Sequence, residues 1–390
     1  MELQKPSWVK YFTSLALGVS MRSKDPKTQV GCVIVDSETL KILSIGYNGF
    51  PPGISNSAEN WSDEQKNNLV VHAEANAVLL KGTANLENSI AFVTLFPCED
   101  CAKMLIQAGV RRVYYLSFRD KYRKSDEIFK KAKVDIVPVS RGDDGTLTMF
   151  QNTFITMVKA AIQNVTNTKV DGSSRQLCDS LKEKEEIKYL RETDIEGPWT
   201  TDQPGERSEE ILFKKWIHYF LFLAHVASTR SSCGAKEGAL LVDSKTIKMC
   251  SLSYKGYPRG VEGTPDDVLM VSAIMNVLAL RFCEGNEFYA FCTDFPTEGE
   301  VKNLAQAKVK RLYFISPTNM TTRALSILDA AKVKTVPMDP LNEEEIEKEV
   351  RSIIKGLAEK EKKNTISFKD WPIPVTPYEL EPKRRNSGLD

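Results

Sequence analysis

The sequence has few histidines, no long apolar run and almost no net charge. Only three histidines occur among its 390 residues, at positions 72, 218 and 225. His218 and His225 lie in an apolar stretch with helical spacing, so we interpret them as core or surface residues rather than metal ligands. No segment reaches the roughly 18 consecutive apolar residues of a membrane helix, so no membrane span is expected. The formal net charge of +1 disfavours a dedicated nucleic-acid binder.

Cysteine is also sparse, with eight residues scattered over the chain. That density excludes a small disulfide scaffold and favours a reducing, intracellular compartment. The first residues lack a basic region followed by an apolar stretch, so no signal peptide is expected. We therefore predict a cytoplasmic protein. The basic triplet Lys383–Arg385 leaves a nuclear location open, although such triplets usually belong to a solvated tail.

Alternating helical and β-rich segments predict an α/β fold. A chain of 390 residues predicts two or more domains. Across residues 7–164, strands that alternate with helices indicate a mixed five-stranded sheet flanked by helices. The predicted helices cover residues 8–21, 71–81 and 98–108, and the predicted strands cover residues 31–37, 42–47, 89–95, 113–117 and 134–139.

A second copy of these segments follows later in the chain. Residues 96–117 align without a gap on residues 295–316, and 11 of the 22 positions are identical. The sequence GCVIVDS at 31–37 similarly returns as GALLVDS at 238–244. Because the order and the spacing of the pieces are kept, we expect two copies of one fold.

The first copy contains two short motifs that together suit a zinc ion. The tripeptide HAE at 72–74 is followed, after 22 intervening residues, by PCEDC at 97–101. The imidazole of His72 and the thiolates of Cys98 and Cys101 are three of the four ligands of tetrahedral zinc and leave one position for water. This is the H-x-E…P-C-x-x-C signature of the zinc-dependent deaminases.

Glu74 is placed to move protons rather than to bind metal. One carboxylate can take a proton from the water and hand it on while C4 of a cytosine is attacked and ammonia leaves. A structural zinc site and a redox pair are the alternatives for a C-x-x-C motif. A structural site usually closes with four protein ligands, and no fourth Cys or His lies near this one. The histidine–glutamate piece therefore favours catalysis.

The second copy has lost every residue that this chemistry needs. The aligned pairs are His72 with Ser272, Glu74 with Ile274, Cys98 with Thr297, and Cys101 with Glu300. Apolar and turn positions are kept while the ligands are not. The second copy is therefore expected to hold no zinc in this way, and one Zn²⁺ per chain is predicted.

The first copy resembles the deoxycytidylate (dCMP) deaminases of the cytidine deaminase superfamily. The likeness covers residues 8 to 140, through RSKDPKTQVG at 22–31, GYNGFP at 46–51, HAEANA at 72–77 and FPCEDCAK at 96–103. The resemblance implies hydrolysis of dCMP to dUMP with release of ammonia. It also implies cytidine-deaminase-like α/β/α domains, each a mixed five-stranded sheet flanked by helices.

The resemblance further implies a set of substrate contacts. Asn48 would hydrogen-bond the sugar, and Arg22 would face the phosphate, since a guanidinium matches phosphate oxygens bidentately. Gln29 and Val30 would line the base pocket, with Ala73 supplying backbone near the base. A surface charge at Arg22 and a turn role for Asn48 are the alternatives.

The tandem arrangement resembles the cytidine-and-dCMP-deaminase-domain proteins. We predict a catalytic domain at 1–164, a linker at 165–208, a degenerate deaminase-like domain at 209–363 and a tail at 364–390. The second domain is expected to act as a packing scaffold, to replace a subunit partner or to bind a regulatory nucleotide. A homo-oligomer or a pairing of the two domains is expected. The substrate alternatives are dCTP, for a triphosphate deaminase, and RNA or single-stranded DNA, for a polynucleotide editor.

Overall fold

A computed structural model of the chain describes residues 6–82, 84–139, 147–193, 195, 215–231, 236–257, 270–281 and 287–361. The predicted tail, with Lys383–Arg385, lies outside these residues. Among the described helices, none combines the length and the apolar character needed to cross a membrane.

The first half contains one sheet and its helices. Its elements are α1 (Trp8–Ser20), β1 (Gly31–Asp36), β2 (Ile42–Tyr47), α2 (Lys66–Leu69), α3 (Ala73–Leu79), β3 (Ser89–Leu95), α4 (Glu99–Gln107), β4 (Val110–Ser117), a 3₁₀ turn (Asp120–Tyr122), α5 (Arg123–Lys131), β5 (Asp135–Pro138) and α6 (Leu147–Thr166). Two connecting helices follow, α7 (Gly172–Lys182) and α8 (Glu185–Glu192).

The second half repeats the pattern. Its described elements are α9 (Trp216–Ser228), β6 (Gly238–Asp243), β7 (Met249–Tyr254), α10 (Ala273–Ala279), β8 (Phe288–Asp294), α11 (Glu298–Gln306), β9 (Val309–Ser316), α12 (Thr322–Ala330), β10 (Lys334–Pro337) and α13 (Glu343–Glu361).

The two sheets have the same topology, as the repeat predicts. The strand orders are β2-β1-β3-β4-β5 and β7-β6-β8-β9-β10. In each sheet the first strand pairs antiparallel with both neighbours and the last three strands are parallel. The backbone bridge between Gly49 and Val71 returns between Gly256 and Val271. The prediction of tandem domains with mixed five-stranded sheets is confirmed.

The two halves pack against each other through one shared core. Helix α1 contacts α9, and buried residues of both halves belong to the same apolar cluster. Two cation–π contacts repeat across this interface: the guanidinium of Arg22 lies 4.1 Å from the ring centre of Trp216, and that of Arg230 lies 4.0 Å from Trp8. The pairing of the domains is therefore symmetric in its contacts.

The last helix of each half crosses to the other half. Helix α6 packs on α9 and β9, whereas α13 packs on β4 of the first half, and the two helices contact each other. The domain boundaries at 164 and 363 stay predictions. Each of these two helices nevertheless packs on the half of the chain to which it does not belong by sequence.

Several elements differ from the sequence predictions. Helix α3 spans seven residues instead of the predicted 71–81, because His72 is its N-cap and Leu80 already leaves helical geometry. The predicted linker at 165–208 contains two helices, α7 and α8, of which the second begins after Lys184. The described cysteines 32, 98, 101, 178 and 292 are free thiols. Cys250 is disulfide-bonded.

Candidate metal centre and substrate site

The three predicted metal ligands lie at the beginnings of two neighbouring helices. His72 is the N-cap of α3 and Cys98 is the N-cap of α4, and neither side chain caps its own helix. Cys101 lies in the first turn of α4, three residues after Cys98. Both helices therefore direct their positively polarised N-termini to one point, which favours thiolates there.

The ligand atoms lie at the separations that one zinc ion requires. The Nδ1 atom of His72 is 3.3 Å from Sγ of Cys98 and 3.5 Å from Sγ of Cys101, and all three ligand atoms fall within 4.8 Å of one another. Zinc bonds of about 2.0–2.3 Å in a tetrahedron place neighbouring ligand atoms roughly 3.5 Å apart. The predicted ligand set therefore converges and fits one Zn²⁺ in the first half.

The surroundings of Cys98 favour its thiolate form. A hydrogen bond from the Cys101 thiol and a weaker contribution from a hydrogen bond with His72 hold the pKa of Cys98 well below its usual range. The hydrogen bond to Cys98 raises the pKa of His72 in turn. A thiolate is the form that binds metal, so Cys98 is poised as a ligand.

Glu74 lies beside this group but is not a member of it. Its side chain is only 3% exposed, and burial raises its pKa to about 7. A carboxyl with a pKa near neutrality can both accept and donate a proton. The acid–base role of Glu74 stays a prediction, and this burial and raised pKa are compatible with it.

The predicted substrate residues Gln29 and Val30 lie in the loop before β1, and Asn48, just after β2, is hydrogen-bonded to that loop. The Oδ1 atom of Asn48 accepts from the Val30 N–H at 2.7 Å, and its Nδ2 donates to the Thr28 carbonyl at 3.0 Å. Within the described part of the chain, the buried Oε1 of Gln29 has no hydrogen-bond partner. Ala73 is the first residue of α3, so its N–H has no partner within the helix.

Asp25 is a part of this loop that sequence reasoning missed. It is 1% exposed. Its carboxylate accepts from the Lys27 and Thr28 N–H groups and from Nδ2 of Asn48, and it pairs with Nζ of Lys66 at 2.5 Å. The sequence did contain a signal for this role: Asp25 directly precedes a proline in the segment before β1, and aspartate in such a segment commonly accepts hydrogen bonds from the backbone of a turn. We call residues 25–30, which this carboxylate holds together, the substrate loop.

Arg22 is not placed among the zinc ligands. Besides its contact with Trp216, it lines a cavity of about 370 Å³ between the halves, together with Tyr47 and Tyr219. None of the zinc ligands and neither Glu74 nor Asn48 contributes to the lining of that cavity. The phosphate contact of Arg22 stays a prediction, and the structure shows an interdomain contact for it.

A basic run, consisting of Arg119, Lys121, Arg123 and Lys124, follows β4, and part of it lies close to the metal ligands. Lys121 interacts electrostatically with Cys98, Arg119, Lys66 and Lys360, and burial together with the neighbouring cations lowers its pKa. Lys66, Arg119 and Lys121 therefore give the first half a positively charged edge beside the metal ligands, which we call the cationic rim.

At the corresponding place in the second half, the counterparts of the metal ligands form hydrogen bonds at the starts of their own helices. Ser272 caps α10 through the Met275 N–H, and Thr297 with Glu300 forms a capping box at α11. Each lost metal ligand has thus become a helix-capping residue or its partner.

Residues 6–117 match the family model described as the cytidine and deoxycytidylate deaminase zinc-binding region. A probable deoxycytidylate deaminase of Caenorhabditis elegans is 46% identical over 129 residues, which are 32% of this chain and 65% of the relative. The deoxycytidylate deaminase of Homo sapiens is 44% identical over 126 residues, which are 31% of this chain and 69% of the relative.

A solved structure is also similar to part of the chain. The dCMP deaminase of cyanophage S-TIM5, crystallised with dCMP and dUMP, is 28% identical over 33% of this chain and 93% of its own, with a TM-score of 0.28. The match to the human relative covers more than two thirds of that protein at 44% identity. The chain therefore belongs to the cytidine and deoxycytidylate deaminase family.

Proposed function

We propose that the first half hydrolyses the 4-amino group of a free cytosine deoxynucleotide, and that dCMP is converted to dUMP with release of ammonia. The observation that carries this proposal is the convergence of His72, Cys98 and Cys101 beside the buried carboxyl of Glu74. The deoxycytidylate deaminases to which the chain is similar support the choice of substrate.

The residues of the site divide the chemistry between them. His72, Cys98 and Cys101 would hold a zinc ion, which when bound would supply the Lewis acid that activates water for attack at C4 of the cytosine ring. Glu74 takes a proton from that water and passes it to N3, and a second proton transfer through the same carboxyl lets the amine leave as ammonia. One carboxyl with a pKa near 7 can make both transfers.

The substrate loop and α3 hold the base and the sugar in this proposal. The unpartnered Oε1 of Gln29 is an acceptor for a donor on the base, and the Ala73 N–H is a donor for an acceptor on it. Val30 lines the pocket. Asn48 fixes the loop through Val30 and Thr28, and its proposed contact with the sugar adds to that positioning.

The phosphate is proposed to bind at the cationic rim. Lys121 interacts electrostatically with the metal ligand Cys98 and with the neighbouring cations Arg119 and Lys66. Arg22 instead lines a cavity to which no metal ligand contributes. Positive charge close to the bound cytosine ring attracts the phosphate of the substrate and orients the nucleotide.

We expect Lys121→Met to raise KM for dCMP about tenfold, because a charge-assisted contact with phosphate is lost. KM for deoxycytidine, which has no phosphate, should not change. Steady-state kinetics with both substrates measure the difference. Lys124→Met, in the same basic run and likewise at an exposed position, is the matched control. Equal effects of Lys121→Met on both substrates would contradict a phosphate contact.

A substrate panel tests the proposed reaction directly. Ammonia release is measured with dCMP, dCTP, CMP, deoxycytidine and single-stranded DNA. We expect the highest kcat/KM with dCMP. A clear preference for dCTP would move the assignment to a triphosphate deaminase. Turnover of DNA with steep salt dependence would identify a polynucleotide editor, and no ammonia from any compound would refute the proposal.

For the second half we propose a structural role rather than a regulatory nucleotide site. Lys255, the counterpart of Asn48, pairs with Glu237 at 3.0 Å. The Glu237 carboxylate also accepts a hydrogen bond from the N–H of Ala273, which is the counterpart of Ala73. Asp294 and Glu300 add negative charge to the same pocket, which opposes a phosphate. A pocket that satisfies its own polar groups supports a scaffold.

Location and assembly stay at the level of proposals. A free nucleotide substrate agrees with the cytoplasmic location that the sequence predicts, and nuclear import through Lys383–Arg385 stays a prediction. The packing of the two halves supports an intramolecular pair. A homo-oligomer stays a prediction that light scattering can test.

A further inference from the structure

Helix α13, the last described element of the second half, lies against the active-site half of the chain. Its apolar stripe consists of Ile346, Val350, Ile353, Ile354 and Leu357, all buried in the core that the two halves share. The spacing of three and four residues puts these side chains on one face. The helix contacts α6 and β4, so its position is fixed by the first half.

Gly356 brings the backbone of this helix onto the substrate loop. A Cβ atom at Gly356 would lie 2.6 Å from the carbonyl oxygen of Lys27 and 4.0 Å from Cα of Thr28. The first distance is far below contact distance, and the obstructing atom belongs to the backbone. A side chain at position 356 would therefore push the loop that carries Gln29 and Val30 and that Asn48 holds through the Thr28 carbonyl.

Glu361, at the end of the same helix, holds a second wall of the site. Its Oε1 accepts a hydrogen bond from the Phe118 N–H at 3.2 Å. The ring of Phe118 packs on Phe96 with centroids 5.2 Å apart, and Phe96 lies two residues before the ligand Cys98. The carboxylate thus fixes the end of β4, where the cationic rim begins.

The first half makes the reciprocal contact with the second half. Oδ1 of Asn164, near the end of α6, accepts from the Lys236 N–H. Lys236 precedes β6 by the same two residues as Gln29 precedes β1. The terminal helix of each half therefore contacts the other half just before the first strand of its sheet, α13 at the substrate loop and α6 at Lys236. Among the described residues, only the first half also has a group of metal ligands.

We propose that α13 of the second half is a positioning element of the first half's active site, acting on the substrate loop through Gly356 and on the end of β4 through Glu361. This proposal rests on the proposed function, because positioning is defined by the substrate that the loop receives. The second half is then required for substrate binding even though it holds no metal of its own.

The test compares two glycine-to-alanine substitutions in helices of the second half. A Cβ atom at Gly299, in α11, would have no other atom within 4 Å, so Gly299→Ala is the matched control. Alanine is favoured over glycine in helices, and the control should unfold no earlier than the wild type and keep its kcat/KM. Gly356→Ala should keep its zinc content while KM for dCMP rises on the order of tenfold or more, with a smaller change in kcat.

Glu361 gives a second, independent variant pair. Glu361→Ala should raise KM in the same way, and Glu361→Gln, which keeps an acceptor oxygen, should restore it. If Gly356→Ala and Glu361→Ala both keep wild-type KM and kcat, the proposal is wrong. It is also wrong if activity falls only in proportion to the loss of folded protein, since that is the result of a purely structural role.

Hydrogen exchange separates this proposal from the proposed function. Amide exchange at residues 28–30 should accelerate in Gly356→Ala relative to the wild type and to Gly299→Ala. This readout needs no substrate. If wild-type protein deaminates nothing in the panel, the proposed function fails, and unchanged exchange at these amides would independently overturn the positioning role.

Discussion

Glu74→Gln is expected to lower kcat by about 10²–10⁴-fold, the range that a positioned acid–base group contributes. The amide has nearly the same shape as the carboxyl but can neither take a proton from water nor pass one to the ring. Ammonia release under saturating dCMP measures the loss. Zinc content should stay at one ion per chain, because Glu74 is not one of the converging ligands.

The same variant also counts the nucleotide sites. Without turnover, a calorimetric titration with dCMP should show one site per chain, since the polar groups of the second-half pocket already pair with one another. Asp100→Asn is the matched control: Asp100 lies between the two cysteines, its side chain is 90% exposed, and its loss should leave kcat unchanged. Full activity of Glu74→Gln would show that another group moves the protons.

Giving the first half the second half's residues should abolish zinc binding. In the triple variant His72→Ser, Cys98→Thr, Cys101→Glu, all three metal ligands are replaced by the residues that the chain itself uses at the equivalent positions. We expect zinc to fall from one ion per chain to none and deamination to fall to the uncatalysed rate. Elemental analysis and ammonia release measure the two losses.

The fold should survive this change, because Ser272 and the Thr297–Glu300 capping box show that these residues suit the same two helix starts. The melting temperature should still fall relative to zinc-loaded protein, since bound metal stabilises the folded state. Thr297→Ala is the control: it should cost about 1 kcal/mol of stability through the lost cap and leave zinc and activity unchanged. Retention of zinc by the triple variant would refute the ligand assignment.

The metal site was predictable from sequence because its ligands come from two short motifs. His72, Cys98 and Cys101 each begin a helix or lie in its first turn, so spacing alone placed them on neighbouring helix starts. The strands β2 and β3 were likewise predicted with their observed bounds, since their apolar runs end at clear turn residues. Local pattern and local structure coincide in these segments.

Other features depend on contacts between distant parts of the chain, which no local pattern contains. The position of Arg22 over Trp216 joins residues far apart in sequence. The burial of Asp25 depends on Lys66 and Asn48 together. The approach of Gly356 to Lys27 spans almost the whole chain. Reasoning from single motifs identified the chemistry but missed these partners.

The crossing of α13 to the first half has a consequence for biosynthesis. A ribosome delivers the amino terminus first, and early domains usually fold as soon as they emerge. Here the histidine and cysteines emerge long before Gly356 and Glu361, which come much later in the sequence. A nascent polypeptide in which α13 has not yet emerged would therefore lack one wall of the proposed substrate site, and full affinity for the substrate is expected only after this helix has docked on the first half.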